Sequence, residues 1–309
     1  MDSTYITVVT PVQNESLLID ELIKQITFNV NKITNFYELI IVDDGSTDDT
    51  WNKIKAASNA NAKIKGIQLS RNFGQHYAIT AGLHKALGEW VIVMDGDLQD
   101  RPEVIAELYA KVKEGFEIVF VSRKNRPENI FYRAIQRIFY LLLNQISGLK
   151  FNHRQANFSI LSNNVVKEYN LFPENSRFFG STINWMGFKR GEIVADHGTR
   201  YAGKSSYSLK KRIRLAADII LSFSERPLKI IILIGVFLLV ISSICFLTLS
   251  FLLIKGELVY SWITQLFLIS FLLGLLMSSL GIIALYLGRV HTEVKKRPLY
   301  IIQNETNLS

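Results

Sequence analysis

An α/β fold, a doubly wound and mostly parallel sheet followed by an interfacial helix and a two-helix transmembrane hairpin, is predicted by three observations. Short β-branched and apolar runs alternate with stretches of helical spacing, the pattern of a parallel sheet wrapped by helices. Acidic residues gather where those runs stop, at Glu15, Asp43, Asp44, Asp95 and Asp97, and sheets of this kind bind ligands outside the carboxyl ends of their strands. Two charge-free runs of 25 and 31 residues, 230–254 and 258–288, each exceed the ~20 residues that cross a bilayer core.

The elements follow in order. Residues 5–10 read as a buried strand stopped by Pro11, and Leu18, Leu22, Ile23, Ile26 and Val30 recur at helical spacing after the loop 11–15. Residues 38–42 form a second strand. In the acid-rich turn beyond it Thr47 or Asp48 is placed to cap a helix, which leaves the two acids at the strand's own end without a structural reason. A third strand over 64–69, a helix over 75–87 and a fourth strand over 90–94 come next. Pro102 suits the first turn of a further helix, 118–121 is a fifth strand ending in Ser122-Arg123, and 193–195 reads as a short strand.

The fourth strand runs into Asp95-Gly96-Asp97-Leu98-Gln99. Extended residues two apart point the same way, so Asp95 and Asp97 can aim at one point, as a hard divalent cation shared with substrate phosphates requires. Gly96 between them is expected to let a bulky anion approach. Alone, Asp-x-Asp equally describes an acidic turn after a core strand. Core packing does not explain why Glu15, Asp43, Asp44 and Arg123 should sit at the same ends.

A net charge of +8 fits nucleic acid, an anionic membrane surface or anionic substrates. The basic residues concentrate beside the apolar runs, which lipid explains better than nucleic acid. Cys245 is the single cysteine and lies inside an apolar run, so neither a disulfide framework nor a thiolate metal site is expected, and the compartment reads as reducing. The first residues lack the layout of a signal peptide. A helix over 129–146 carries Arg133 and Arg137 beside Phe131, Tyr132, Phe139 and Tyr140, either a surface for lipid headgroups or a solvated basic face over a packed aromatic one. Gly198 to Ser205 fits G-x-x-x-x-G-K-S, but a phosphate loop of that class needs further strands after its helix, one with a magnesium-binding acid, and this chain turns apolar instead. What is kept is that Arg200 and Lys204 touch phosphate. Leu209, Ile213, Ala216, Ile220 and Phe223 follow helical spacing behind Lys210, Lys211, Arg212 and Arg214, an interfacial helix.

Arg226 and Lys229 precede the first apolar run and Arg289, Lys295, Lys296 and Arg297 follow the second, while the connection Lys255-Gly256-Glu257 is short and neutral. The positive-inside rule therefore puts both ends, and the N-terminal domain, in the cytoplasm. No acid or base lies inside either run, so the hairpin reads as an anchor, with room for homo-oligomer contacts, and not as a transport path. The expected divisions are a cytoplasmic domain 1–207, a juxtamembrane helix 208–227, a membrane segment 228–288 with spans at about 230–254 and 260–287, and a cytoplasmic tail 289–309 that is loose after Pro298.

With Pro11-Val12-Gln13-Asn14-Glu15, Val42-Asp43-Asp44-Gly45-Ser46, Arg71-Asn72-Phe73-Gly74-Gln75-His76, Asp95-Gly96-Asp97-Leu98-Gln99 and Ser205-Ser206-Tyr207-Ser208-Leu209 in this order, the chain resembles the family 2 glycosyltransferases of GT-A fold. Among them it is similar to the membrane-anchored polyprenyl-phosphate glycosyltransferases, which include dolichyl-phosphate mannose synthases and bacterial undecaprenyl-phosphate glucosyl and aminoarabinose transferases. The resemblance spans nearly the whole chain. It implies that Pro11, Gln13, Glu15 and Asp44 line a nucleotide pocket, to which Asp43 and Gly96 are added by their position. It implies that Asp95, Asp97 and Gln99 surround Mg²⁺ or Mn²⁺ and the donor diphosphate, and that Arg123, Arg133 and Gln136, with Arg137 nearby, meet an acceptor phosphate. Arg200 would grip the diphosphate from a loop. Two departures stand out: Asn157 where many relatives carry an aspartate, and Lys204-Ser205-Ser206-Tyr207 where many carry Glu-Ser-Lys-Tyr. A phosphate monoester, with a second pKa near 6, attacks without a general base, so Asp97, Arg200 and Lys204 rank above Asn157 as catalytic determinants.

The resemblance implies inverting transfer of a sugar from a nucleotide-diphosphate sugar, a UDP-sugar favoured, to polyprenyl (undecaprenyl) phosphate at the cytoplasmic face of the inner membrane, the product serving envelope glycan or lipid modification. Two further readings compete with it. A processive polysaccharide synthase is disfavoured because no Gln-x-x-Arg-Trp surrounds Trp51, Trp90, Trp185 or Trp262. A membrane-tethered nucleotide-sugar sensor without turnover could dispense with the metal set that Asp95, Asp97 and Gln99 supply.

Overall fold

In a computed structural model of the chain the described residues are 5–123, 155–172, 174, 178–196, 230–237, 240, 244, 254–255 and 262–308. The helix expected over 129–146, the stretch 198–205 and the juxtamembrane helix 208–227 lie outside them. Met1–Ile135, Phe151–Ser206 and Pro298–Ser309 form one compact unit, and Gln136–Lys150 with Tyr207–Arg297 another.

In the first unit β1 (Ile6–Val12), α1 (Ile19–Asn31), β2 (Tyr37–Asp43), α2 (Thr50–Ala60), β3 (Ile64–Leu69), α3 (Gln75–Lys85) and β4 (Trp90–Val93) alternate as expected. A 3-10 turn opening on Pro102 leads into α4 (Ile105–Val112). β5 (Ile118–Arg123), β6 (Gln155–Ser162), α5 (Asn163–Leu171), α6 (Phe179–Trp185), β7 (Arg190–Ala195) and β8 (Ile302–Thr306) complete it. The eight strands form one sheet in the order β7-β5-β6-β4-β1-β2-β3-β8. The block β4-β1-β2-β3 is parallel, β7 runs parallel to β5, and β6 and β8 supply the antiparallel pairings. Apolar side chains of α1, α2 and α4 cover one face, and those of α3, α5 and α6 the other. Burial on both faces is why β1 and β2 read as continuous apolar runs instead of alternating ones.

Three expectations change. β1 does not stop at Pro11 but continues to Val12, with Pro11 opposite Val42. The Val9 carbonyl accepts from Met94 N of the β4 side, and the Val12 carbonyl accepts from Asp44 N of the β2 side, so odd-numbered residues here turn their backbone toward β4. The β1–β4 register ends at Val9–Val93, and the proline's missing N–H falls where β4 has no partner to offer. The residues after Pro298 are not a loose tail: β8 pairs antiparallel with the edge of β3, Thr306 Oγ1 accepts from Gly66 N at 3.1 Å, and Asn307 Nδ2 donates to the Ser58 and Ile64 carbonyls at 2.6 and 3.0 Å. The helix expected to be capped by Thr47 or Asp48 has Asp49 at its N-cap without a side-chain bond, while Asp48 Oδ1 takes the Thr50 N–H at 3.1 Å.

In the second unit, residues 230–237 are helical, and α7 (Trp262–Val294) runs for 33 residues, past the expected end near 287. Its segment Leu272–Val294 is long and apolar enough to cross a membrane. Ser278, Ser279 and Thr292 donate their hydroxyls to carbonyls four residues back in the same helix, which satisfies them without water.

At the amino ends of the strands, away from the acids described below, Glu38 is buried beside β1. It accepts from Thr7 Oγ1, from Leu87 N at 2.7 Å and from Lys65 Nζ at 2.6 Å. Truncating it would strand a half-buried ammonium and two donors. Glu38→Ala is therefore expected to cost about 3–5 kcal/mol, read as a lowered thermal midpoint of the purified protein.

Candidate active site

β1 lies between β4 and β2, so the chain winds away from it on both sides, and the crevice at the β1/β4 carboxyl ends is the switch point where ligands of doubly wound sheets bind. The loops that follow β1 and β2 are sewn to each other across this opening. Asn14, at φ +53°, donates its N–H to Ser46 Oγ at 2.8 Å and accepts Thr47 N at 2.9 Å. Glu15 N donates to Thr50 Oγ1 at 3.0 Å, and Ser16 N to Asp48 Oδ2 at 3.2 Å. Such loops are held in shape before any ligand arrives.

Asp43 and Asp44 are buried and anchor this lacing. Asp43 Oδ1 accepts Ser46 N at 3.0 Å, and its Oδ2 faces Gln68 Nε2 at 3.4 Å. Asp44 accepts two amides, Phe73 N at 2.8 Å on Oδ1 and Gly74 N at 2.9 Å on Oδ2, and so ties the end of β2 to the entry of α3. Burial pushes both carboxyls up, against the downward pull of these donors. Between them and the Arg71–Asn72 backbone lies Gly45, at φ +66°, where a Cβ would stand 2.3 Å from the Arg71 carbonyl carbon. Only glycine fits that contact.

Past β4 the burial alternates: Asp95, Asp97 and Gln99 keep partial exposure, while Met94, Gly96, Leu98 and Asp100 are buried. The side chains expected to share a ligand are thus the ones that keep access to solvent. Gln75, the first residue of α3, donates its amide to Asp95 Oδ1, Asp97 Oδ1 accepts Gln99 N at 3.1 Å, and Asp100 Oδ2 accepts Asp95 N at 3.3 Å. Gly96 also has a packing role. A Cβ there would lie 2.5 Å from Val12 Cγ1 and 2.9 Å from the Pro11 carbonyl oxygen, so its bareness lets the ends of β4 and β1 pack. Asn157 stands on β6 two residues from the Val93–Ser159 pair, at the end of the sheet where β4 passes into Asp95.

Among the described residues no three His, Cys, Asp or Glu side chains converge as a complete metal cage. Two partly exposed carboxylates and an amide are the donor types of a hard cation that takes its remaining oxygens from a phosphate ligand and water. Pro11 is buried, Gln13 exposed and Glu15 half-buried around the same opening. Arg123 closes β5, its side chain lying outside the described residues, as do Arg133, Gln136, Arg137, Arg200 and Lys204.

The sequence reading gave no role to Gln75 and His76. The signal available was Gly74, at φ +110°, which sets the start of α3 beside two polar side chains. His76 follows Gln75 and turns its ring edge to Phe178, with centroids 5.5 Å apart. Its Nδ1 is sealed from solvent with no partner among the described residues.

Residues 7–170, more than half of the chain, match the family described as Glycosyl transferase family 2. The chain belongs to this family. Over 298 residues it is 33% identical to the uncharacterized glycosyltransferase YkcC of Bacillus subtilis, covering 96% of this chain and 92% of that protein. Over 308 residues it is 31% identical to an undecaprenyl-phosphate 4-deoxy-4-formamido-L-arabinose transferase of Yersinia pestis, again covering 96% and 92%. Its fold is that of the GT-A glycosyltransferases. Glucosyl-3-phosphoglycerate synthase from Mycobacterium tuberculosis, crystallised with Mn²⁺, UDP-glucose and phosphoglyceric acid, superposes with a TM-score of 0.50 at 19% identity, over 71% of this chain and 78% of that one.

Burial alone pushes His76 down to about 4. The unfolded chain, with histidine near 6.5, takes up the proton first, so stability is complete above about pH 6.5 and is lost as pH falls toward 4. Because the residue as a whole keeps partial exposure, the loss is put at ~2 kcal/mol. His76→Phe keeps the ring and removes the titration, and its thermal midpoint is expected to fall less than that of the parent between pH 6.5 and 4.5.

Proposed function

We propose that this family 2 glycosyltransferase moves a sugar, with inversion, from a nucleoside diphosphate sugar held at the β1, β2 and β4 ends to a polyprenyl phosphate at a membrane surface. The observation that carries the reading is the partial exposure of Asp95 and Asp97 just past the carboxyl end of β4, with Asp95 held by Gln75 and the neighbouring loops anchored on Asp43 and Asp44. The polyprenyl acceptor is supported by the name of the Yersinia relative and by the length and apolarity of α7.

In this reading Pro11, Gln13, Glu15, Asp43 and Asp44 form or support the nucleotide pocket. Asp95, Asp97 and Gln99 would hold Mg²⁺ or Mn²⁺ together with the diphosphate, and the bound ion would offset the charge that builds on the departing nucleoside diphosphate. An oxygen of the acceptor phosphate attacks the anomeric carbon as the bond from that carbon to the diphosphate breaks. The acceptor is mostly a dianion at neutral pH, so no residue has to remove a proton, and an asparagine at position 157 is compatible with turnover. Arg200 and Lys204 would steady the diphosphate, and Arg123, Arg133, Gln136 and Arg137 the acceptor headgroup. The runs 230–254 and 258–288 would anchor the chain as a hairpin with the 1–207 domain on the cytoplasmic side.

The test is release of nucleoside diphosphate from a panel of sugar nucleotides by purified protein with Mg²⁺ or Mn²⁺, with and without undecaprenyl phosphate. Release that requires lipid and metal, and that falls at least ~100-fold in Asp97→Asn, is expected. Binding of nucleotide without lipid-dependent release would overturn the transferase reading in favour of a sensor.

A further inference from the structure

Val12, Asp43, Gln68 and Asn304 are direct cross-strand neighbours in β1, β2, β3 and β8, a single row across the carboxyl end of the parallel block. Residues opposite one another in a sheet project to the same face, and the last three of this row are joined through their side chains. Asn304 Nδ2 donates to Gln68 Oε1 at 2.6 Å, and Gln68 Nε2 lies 3.4 Å from Asp43 Oδ2. Asp43 Oδ1 in turn holds Ser46 N, and Ser46 Oγ takes the N–H of Asn14, the residue between Gln13 and Glu15.

The direction of this chain is fixed by chemistry. An ionised carboxylate only accepts, so Gln68 must present its NH₂ to Asp43, and its carbonyl oxygen must then face β8, where Asn304 supplies a donor. Without that donor the amide is free to rotate and to turn its oxygen toward Asp43. Asp43 is fully buried, so it has no water to take the place of a lost donor.

We propose that Asn304 is a positioning residue for the donor site: through Gln68 it holds Asp43, and through Asp43 the two loops that form the nucleotide pocket. The segment beyond the apolar helix thus sets donor affinity as well as closing the sheet. This rests on the reading of that pocket as a nucleotide site. Asn304 itself is exposed, and β8 keeps its ladder, the Thr306 and Asn307 bonds and the Lys85–Glu305 ion pair without it, so its substitution leaves the strand in place.

The experiment uses full-length protein in detergent, with UDP and Mn²⁺ as the binding probe and donor KM and kcat measured alongside. Asn304→Asp is nearly isosteric but accepts where asparagine donates, which forces Gln68 to turn its NH₂ outward. It is expected to weaken UDP binding and raise donor KM about 10-fold, with kcat at saturating donor and the thermal midpoint retained. Asn304→Ala should give about a 3-fold effect. In a Gln68→Ala background Asn304→Asp should add nothing, because the link is already cut. If the parent binds UDP and Asn304→Asp binds equally well, or if its effect persists undiminished in Gln68→Ala, the positioning role is wrong while the transferase reading stands. If the parent binds neither UDP nor any other nucleoside diphosphate, the nucleotide site itself is wrong and this inference falls with it.

Discussion

The double acceptance by Asp44 of the Phe73 and Gly74 amides is the constraint on which the rest of the site depends. Each carboxylate oxygen meets one N–H, which fixes the end of β2 against the first residues of α3 in both distance and orientation. Gly45 lets the two backbones come that close. α3 then starts where Gln75 can reach Asp95 at the end of β4. One buried carboxylate therefore sets the spacing between the loop that follows β2 and the acidic pair that follows β4. The burial that raises the proton affinity of Asp44 also sharpens its hold on the donors, since no water competes for them.

The two ends of the sheet divide the polar work. At the amino ends Glu38 is enclosed by Thr7, Lys65 and Leu87 N, a satisfied charge with no open side. At the carboxyl end of β4, Asp95 and Asp97 alternate with buried neighbours and keep partial exposure. Both sets are charged and both lie near apolar strands. How far a carboxylate at a strand end is closed off from solvent is a property of three-dimensional neighbours that the sequence does not display.

That distinction marks how far the sequence could be read. The four parallel strands were legible because each is buried on both faces and stays apolar from end to end, and the acids at their ends were legible because the apolar runs stop so abruptly. β6 was overlooked although Ala156, Phe158 and Ile160 alternate as a strand's inward face should; its antiparallel course between β4 and β5 depends on pairing partners far away in sequence. β8 is mostly polar, Ile-Gln-Asn-Glu-Thr, because as an edge strand it owes its place to backbone pairing with β3 and to side-chain bonds from Thr306 and Asn307. That Gly96 packs against Val12 is a further reason for a glycine there, and only the direction of the missing Cβ reveals it. The donors that Asp43 and Asp44 hold, Ser46 N, Phe73 N and Gly74 N, are set by loop geometry and could not be read from the acids' positions in the sequence.

The position of β8 in the chain bears on how the protein is made. The strand that covers β3 follows α7 in the sequence, so a growing chain has built its parallel block, and synthesised its long apolar helix, before the residues that cover that edge exist. During that interval the outer backbone of β3 is an unpaired edge, open to the strand-to-strand pairing that drives aggregation. A chain cut short after the helix would keep every acid of the crevice and still carry that exposed edge for its whole lifetime.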